Sequence, residues 1–234
     1  MKALVVLSGG MDSSTALRWA IERWSLDQVS SITFNYGSKH NARENESAKL
    51  VCERLGVRNV LINLPFINQY FKSDLLNSGG QIPEGHYAEE SMKRTVVPYR
   101  NAIMLSIAAG YATSIGAKEL VLGNHAGDHA IYPDCRLEFT KPFEQALLNG
   151  DWNPVSIIRP FESLSKADIV KVGTALNVPY LLTWSCYKGG DIHCGRCGTC
   201  VERAQSFAEV GVIDPVPYED KEFFKSVLAP ETHS

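Results

Sequence analysis

Residues 8–13, which read Ser-Gly-Gly-Met-Asp-Ser, constrain the fold of this chain more than any other segment. They follow an apolar run at residues 3–7 and precede a helix-like stretch that begins at Ser13. The two glycines allow a tight turn and a close approach of the backbone to an anion. Free N–H groups at the helix start, supported by the helix dipole, then form an anion site. The pattern predicts a nucleotide-binding loop, and an ordinary strand-to-helix turn is the alternative.

The loop differs from a Walker A loop, because the chain contains no Gly-x-x-x-x-Gly-Lys-Ser/Thr. It resembles instead the pyrophosphate loop of enzymes that split ATP between its α and β phosphates. That resemblance implies that pyrophosphate stays in the loop and that AMP passes to an oxygen of the substrate. The expected ATP-binding residues are Leu7, Ser8, Gly9, Gly10, Met11, Asp12, Ser13, Ser14, Thr15, Ala16 and Leu17.

Strand-like and helix-like segments alternate along most of the chain. Strands are expected at residues 29–35, 58–64, 119–123 and 155–158, and helices at 42–55, 98–116, 137–149, 165–176 and 201–210. This alternation predicts an α/β fold with a doubly wound, mostly parallel sheet flanked by helices. Ligands of such sheets bind beyond the carboxyl ends of the strands. Residues 66–97 interrupt the pattern and are expected to form a lid or binding loop.

Composition excludes several functional classes. The 234 residues carry a net charge of −3, which argues against a nucleic-acid-coating surface but leaves a local basic groove open. Apolar runs fall well short of the roughly 20 residues that span a bilayer. The N-terminal apolar run is also too short for a signal peptide. We therefore expect a cytoplasmic protein that binds neither membrane nor nucleic acid.

Four of the six cysteines have metal-ligand spacing: Cys186, Cys194, Cys197 and Cys200 form C-x7-C-x2-C-x2-C. Four thiolates suit a tetrahedral zinc ion, and a site without an open position is structural. Buried free thiols and an iron–sulfur cluster are the alternatives, and His193 is a possible replacement ligand. We expect residues 1–180 to form a nucleotide-binding α/β domain. Residues 181–234 are expected to form a zinc-binding and helical segment packed on that domain.

Other polar clusters indicate a pocket. Lys39 and its neighbour His40 are expected to contact phosphates or to shuttle a proton; a solvated turn is the alternative. Arg100 begins a predicted helix, where a cation is unfavourable, so an anionic partner is expected. Asp128 and Asp134 fall in a polar segment that is either a pocket or an ordinary loop. Cys135, in the same segment, is a candidate nucleophile for a sulfur-transfer enzyme, although no relay partner is evident outside the cysteine set.

In order and combination, these segments resemble the 7-cyano-7-deazaguanine synthase family over nearly the whole chain. The matching segments are residues 8–13, 36–40, 97–101, 132–136, 183–187 and 194–200. One departure is Gly37-Ser38-Lys39, where the family often has Gly-Gln-Arg. The resemblance implies an adenine nucleotide α-hydrolase-like fold and an ATP-dependent carbon–nitrogen ligase. Its substrates would be 7-carboxy-7-deazaguanine and ammonium, and its product the nitrile of the queuosine precursor pathway.

The resemblance also implies roles for particular side chains. Asp12 would help to hold Mg²⁺, and Lys39 and Arg100 would balance phosphate charge. Asp128 and Asp134 would accept hydrogen bonds from the deazaguanine edge. A homodimer is expected. A tRNA-sulfurating enzyme with the same loop and a non-enzymatic zinc module that binds nucleic acid are the rival interpretations.

Overall fold

A computed structural model describes residues 1–127 and 131–228 of the chain. The strands are β1 (Ala3–Val6), β2 (Val29–Asn35), β3 (Arg58–Asn63), β4 (Glu119–Val121) and β5 (Ser156–Ile158). The helices are α1 (Met11–Trp24), α2 (Asn41–Leu55), α3 (Pro65–Tyr70), α4 (Arg100–Ser114), α5 (Leu137–Gly150), α6 (Lys166–Ala175), α7 (Gly198–Val210) and α8 (Phe223–Leu228).

The five strands form one parallel sheet in the order β3-β2-β1-β4-β5. The predicted α/β fold is therefore confirmed. The side on which strands are added changes at β1: β2 and β3 lie on one side of it, and β4 and β5 lie on the other. Crevices at such switch points bind ligands in open α/β sheets, so the loop after β1 lies where a ligand site is expected.

Side chains of β1 alternate between two buried cores. Ala3 and Val5 pack with α1, α2 and α6 on one face, whereas Leu4 packs with α4 on the other. This period of two follows from the pleat of a strand. Because helices cover both faces, the loops at the carboxyl ends of the strands are the accessible edge of the sheet.

Helix boundaries differ from the predicted ones by a few residues. α1 begins at Met11 rather than Ser13, and α7 begins at Gly198 rather than 201. A glycine lies at both helix starts: Gly10 precedes α1, and Gly198 is the first residue of α7. Because glycine has a low helix propensity, sequence reasoning places each start further along the chain. α6 begins with the expected capping box, in which Ser165 and Asp168 hydrogen-bond each other's backbone N–H.

The irregular segment before α4 packs against the cysteine-rich segment. Glu84 forms ion pairs with Lys188 at 2.5 Å and Arg196 at 3.2 Å. Tyr87 and Met92 pack in a small core that also contains Tyr132 and Cys135. Residues 84–92 of the segment predicted as a lid or binding loop thus pack against the cysteine-rich segment. We call these residues the wall; a lid or binding role for residues 66–97 stays a prediction.

A buried arginine joins α7 to the segment before it. The Arg203 side chain is fully buried and donates to both carboxylate oxygens of Asp214, at 2.8 and 3.0 Å. It also donates to Thr183 Oγ1 at 2.8 Å and to the Tyr180 carbonyl at 3.2 Å. Buried charges require such complete pairing. Within the described residues, no helix has the length and apolar character needed to cross a membrane.

Candidate active site and metal centre

The loop after β1 has the geometry of an anion site. Ser8 Oγ accepts from the Gly10 N–H at 3.2 Å and lies 3.1 Å from Ser13 Oγ. Gly9 has a φ of +84°, and a Cβ there would collide with the Glu44 carbonyl oxygen. Only glycine fits this position. The first turn of α1 therefore points its N–H groups toward the carboxyl edge of the sheet.

Two adjoining cavities, each about 220 Å³, lie at this edge. Cavity A contains Asp12 and Asp134 in its wall, and cavity B contains His40 and Glu44. The residues lining both cavities are called the junction here: Val6, Ser8, Arg100, Asn101, Met104 and Tyr187.

Some of the predicted ATP-binding residues line a cavity, and the others do not. Ser8, Gly10, Asp12 and Ser13 line cavity A, and Leu7 and Ser8 line cavity B. The others are buried and line neither cavity: Gly9, Met11, Ser14, Thr15, Ala16 and Leu17. Thr15, for example, donates to the Met11 carbonyl and contacts Tyr180 Oη, so it supports the loop from behind.

Asp134 presents a carboxylate oxygen to cavity A. It lies in a short 3₁₀ turn, and its Oδ2 accepts from the Asn101 N–H at the start of α4 at 3.1 Å. Its Oδ1 is buried and has no hydrogen-bond partner within the described residues. A buried acceptor without a partner is costly, so this oxygen is available to an N–H donor of a ligand.

Arg100 is the first residue of α4 and lies at the junction. Its guanidinium lies over the rings of Tyr36 at 5.8 Å and Tyr132 at 5.5 Å. Burial opposes its charge, but Tyr36, Tyr132 and Asp134 raise its pKa well above the ordinary value. Arg100 therefore supplies a permanent positive charge beside both cavities.

Lys166 is a site residue that the sequence analysis missed. Its Nζ donates to Asp12 Oδ2 at 2.6 Å and lies 3.2 Å from Glu202 Oε2 and 3.3 Å from His125 Nε2. Asp12 Oδ1 is buried without a hydrogen-bond partner in the part of the chain that is described. Lys166 is the first residue of α6, where a cation is unfavourable. The argument that singled out Arg100 applies equally to it.

The structure does not bring Lys39 to this site. Its ammonium donates to the carbonyl oxygens of Asp74 at 2.7 Å, of Leu76, and of Gly79 at 3.4 Å. It lines neither cavity A nor cavity B, and burial lowers its pKa. Lys39 thus holds residues 74–79 in this structure, and its role in balancing phosphate charge stays a prediction. Asp128 lies outside the described residues.

His40 is buried in the wall of cavity B. Its Nε2 lies 3.3 Å from Glu44 Oε2, and its ring stacks on Tyr187 with centroids 5.0 Å apart. The alternative of a solvated turn is wrong for His40, because only 2% of its surface is exposed.

Cys135 lines cavity A, where its Sγ accepts from the Asn101 side-chain amide at 3.4 Å.

The four cysteines form one buried cluster, whose members are Cys186, Cys194, Cys197 and Cys200. Their Sγ atoms all lie within 4.8 Å of one another, and Cys194 and Cys200 are 3.9 Å apart. Bonds of about 2.3 Å to a tetrahedral ion separate the sulfurs by about 3.8 Å. The donor set thus fits a metal ion.

His193 lies outside the cluster. Its Nε2 accepts from the Ser185 N–H at 3.0 Å, and burial lowers the pKa of its imidazole to about 3.

Comparison with known proteins places these features in a family. The family model described as queuosine biosynthesis protein QueC matches residues 2–211. A 7-cyano-7-deazaguanine synthase of Porphyromonas gingivalis is 52% identical over 93% of this chain and 97% of its own length. The synthase of Caldicellulosiruptor saccharolyticus is 48% identical over 94% of this chain and 96% of its own length. The synthase of Paracoccus denitrificans is 44% identical over 98% of this chain and 98% of its own length. A solved 4-thiouridine synthetase with RNA and ATP bound aligns with a TM-score of 0.49 at 21% identity, over 96% of this chain and 53% of its own.

Replacing Gly123 by alanine should disturb the loop without unfolding the protein. A Cβ at this position would lie 2.9 Å from the Asp12 carbonyl carbon and the Ser13 nitrogen, so the first turn of α1 must shift. Because small misplacements at a binding loop are costly, we expect ATP affinity to fall by about 10-fold or more. Isothermal titration calorimetry measures this change.

The matched control is Gly110→Ala on the exposed side of α4. A Cβ there meets no atom within 4 Å, so ATP affinity should stay unchanged. The free energy of unfolding should rise by about 0.5–1 kcal/mol, because alanine loses less backbone entropy in a helix than glycine. Unchanged ATP affinity in Gly123→Ala would contradict the assignment of this loop.

Proposed function

The chain belongs to the queuosine biosynthesis protein QueC family, and we propose that it converts 7-carboxy-7-deazaguanine and ammonia into the nitrile 7-cyano-7-deazaguanine, with consumption of ATP. Three relatives at 44–52% identity are named for this product. The structural observation that carries the proposal is the adjacency of the loop to Asp134, whose Oδ1 has no partner among the described residues. Ser8, Gly10 and Ser13 line the same cavity as Asp134, which supports binding of a phosphate and of the base in one cavity.

ATP is needed because a carboxylate is unreactive toward ammonia. In the proposed reaction the substrate carboxylate attacks the α-phosphorus, and pyrophosphate leaves into the loop of residues 8–13. Ammonia then displaces AMP and forms an amide. The amide oxygen is adenylated in a second round, and loss of AMP leaves the C≡N bond. The protein contributes chiefly by positioning the reactants and stabilising charge.

The charges around the loop suit this sequence of steps. Asp12 would hold Mg²⁺ through Oδ1, the oxygen left unpaired when Lys166 binds Oδ2. Carboxylate oxygen is the ligand type that Mg²⁺ prefers. Arg100 would neutralise phosphate oxygens at the wall of cavity A. Lys166, which lines neither cavity, would hold the Asp12 carboxylate in place.

Asp134 would recognise the deazaguanine. A carboxylate accepts from N–H donors. Asp134 lines cavity A, and its Oδ1 is buried without a partner in the described residues. We propose the same role for Asp128, which stands in the same polar segment of the sequence.

The cysteine cluster would hold a structural zinc ion. Four thiolates leave no position open for a substrate, so the metal would supply rigidity. It would fix the segment of residues 183–187, whose Trp184 N–H donates to the Gly9 carbonyl at 2.9 Å. We propose accordingly that residues 1–180 are the nucleotide-binding domain and that residues 181–234 are a zinc-binding segment packed on it.

We also propose that the protein is a cytoplasmic homodimer. The family resemblance supports the dimer, and α8 keeps Phe224 and Val227 half-exposed, which leaves apolar surface for a second copy.

The direct test is a reaction of the purified protein with ATP, Mg²⁺, ammonium and 7-carboxy-7-deazaguanine. We expect the nitrile, AMP and pyrophosphate, because each adenylation splits ATP between its α and β phosphates. Mass spectrometry identifies the products. Absence of both ATP turnover and nitrile in folded, metal-loaded protein would refute the proposal and favour tRNA sulfuration.

Replacing Asp134 by asparagine tests the recognition of the base. The amide removes the negative charge at nearly constant volume, so the KM for 7-carboxy-7-deazaguanine should rise by about 10- to 100-fold. The KM for ATP should change little. Asp151→Asn is the matched control, because Asp151 is exposed at the end of α5. An unchanged KM for the deazaguanine would remove this role from Asp134.

Metal analysis tests the cluster. We expect about one zinc per chain by plasma mass spectrometry. Cys197→Ser should lose the metal and lower the melting temperature. Cys52→Ser is the control and should retain it, since Cys52 lies in α2 outside the cluster. Iron with visible absorbance in place of zinc would indicate an iron–sulfur cluster instead.

A further inference from the structure

We propose that the phenol oxygen of Tyr187 is the acceptor that binds and orients the incoming ammonia; this inference rests on the function proposed above. It concerns a residue at the junction that has been given no role so far.

The chain runs through three hydroxyl groups. Thr95 Oγ1 donates its single proton to the Met92 carbonyl at 2.7 Å and lies 3.0 Å from Tyr132 Oη. Tyr132 Oη in turn lies 3.0 Å from Tyr187 Oη. Since a hydroxyl has one proton, Thr95 must accept from Tyr132, and Tyr132 must accept from Tyr187. The proton of Tyr187 is therefore committed, and its oxygen accepts no hydrogen bond from the part of the chain that is described.

Tyr187 is held firmly at the junction. Its ring stacks on His40, with centroids 5.0 Å apart, and it lines both cavities. The preceding backbone is fixed by Thr199 Oγ1, which donates to the Ser185 carbonyl at 2.8 Å. Ser8 of the loop lines both cavities as well. We therefore place the carbonyl carbon of an acyl adenylate, with its phosphate in the loop, at the junction that Ser8 and Tyr187 share.

The charged groups that line the cavities already have other tasks. Arg100 and the N–H groups of the loop donate, as phosphate oxygens require. Among the carboxylates, Asp12 binds Lys166, Asp134 accepts from the Asn101 N–H, and Glu44 lies 3.3 Å from His40 Nε2. Ammonia has the opposite need, because its N–H groups require acceptors and its lone pair must point at the carbonyl carbon. A fixed acceptor at the junction meets that need. Tyr187 Oη would hold one N–H, so that the lone pair is free to attack.

The step is balanced without an additional reactant. The nitrogen lone pair forms the C–N bond, and the bond between the carbonyl carbon and the phosphate oxygen breaks. AMP leaves with that electron pair, and the surplus proton of the nitrogen passes to the departing phosphate. Tyr187 accepts a hydrogen bond throughout and does not exchange its proton.

Tyr187→Phe tests this assignment, because it removes the oxygen and keeps the ring. We expect the KM for ammonium to rise by about 10-fold, while the KM values for ATP and for 7-carboxy-7-deazaguanine stay within about 2-fold. The second half of the reaction consumes no ammonia. Conversion of the corresponding primary amide to the nitrile should therefore proceed at the wild-type rate. Tyr70→Phe is the matched control, since 71% of Tyr70 is exposed.

Tyr132→Phe provides a second variant. It removes the acceptor of the Tyr187 proton, so Tyr187 can turn that proton toward ammonia and becomes a poorer acceptor. We expect a rise in the KM for ammonium of about 3-fold, again without a change in the amide conversion.

Two results would overturn the inference. One is a rise in the KM for 7-carboxy-7-deazaguanine as large as that for ammonium, which would make Tyr187 a base-binding residue. The other is an equal loss in the amide conversion, which would place Tyr187 at a step common to both halves. Wild-type protein that forms neither amide nor nitrile would instead refute the proposed function itself, and the inference with it.

Discussion

The contact between Gly9 and its neighbours is the constraint on which the rest of the site depends. At this one residue the loop after β1 meets both α2, through the Glu44 carbonyl, and the cysteine-rich segment, through the Trp184 N–H. A side chain at position 9 would separate these elements. The segment that carries the cysteines is 175 residues away in sequence from the loop, yet the backbone hydrogen bond of 2.9 Å joins them directly.

Donors and acceptors both line the two cavities. Arg100 and the loop N–H groups donate, as a triphosphate and a carboxylate require. The buried acceptors without a partner in the described residues include Asp12 Oδ1 and Asp134 Oδ1. Each of these oxygens fits a reactant that is positively charged or carries an N–H group.

The cysteine cluster supports the site from outside it. Cys186 directly precedes Tyr187 at the junction, and Gly198 contacts Met92 and Tyr87 of the wall over cavity A. Arg203 fixes the same region from the other side through Thr183 and Asp214. The wall and the junction thus depend on a region whose four clustered cysteines line neither cavity, so a metal ion held there would act as a support.

The sequence alone determined the loop, the four-cysteine set and the parallel sheet, because each depends on residues close together in the chain or on local periodicity. It also identified Asp134 and Arg100, since their local settings are unfavourable without a partner. Only the tertiary structure decided which polar groups meet. Lys166 reaches Asp12 across 154 residues, and Tyr132 reaches Tyr187 across 55. Lys39 turns away from the loop because three backbone carbonyls surround its ammonium. Such contacts depend on how α6 and the irregular segments pack, and no local pattern encodes that packing.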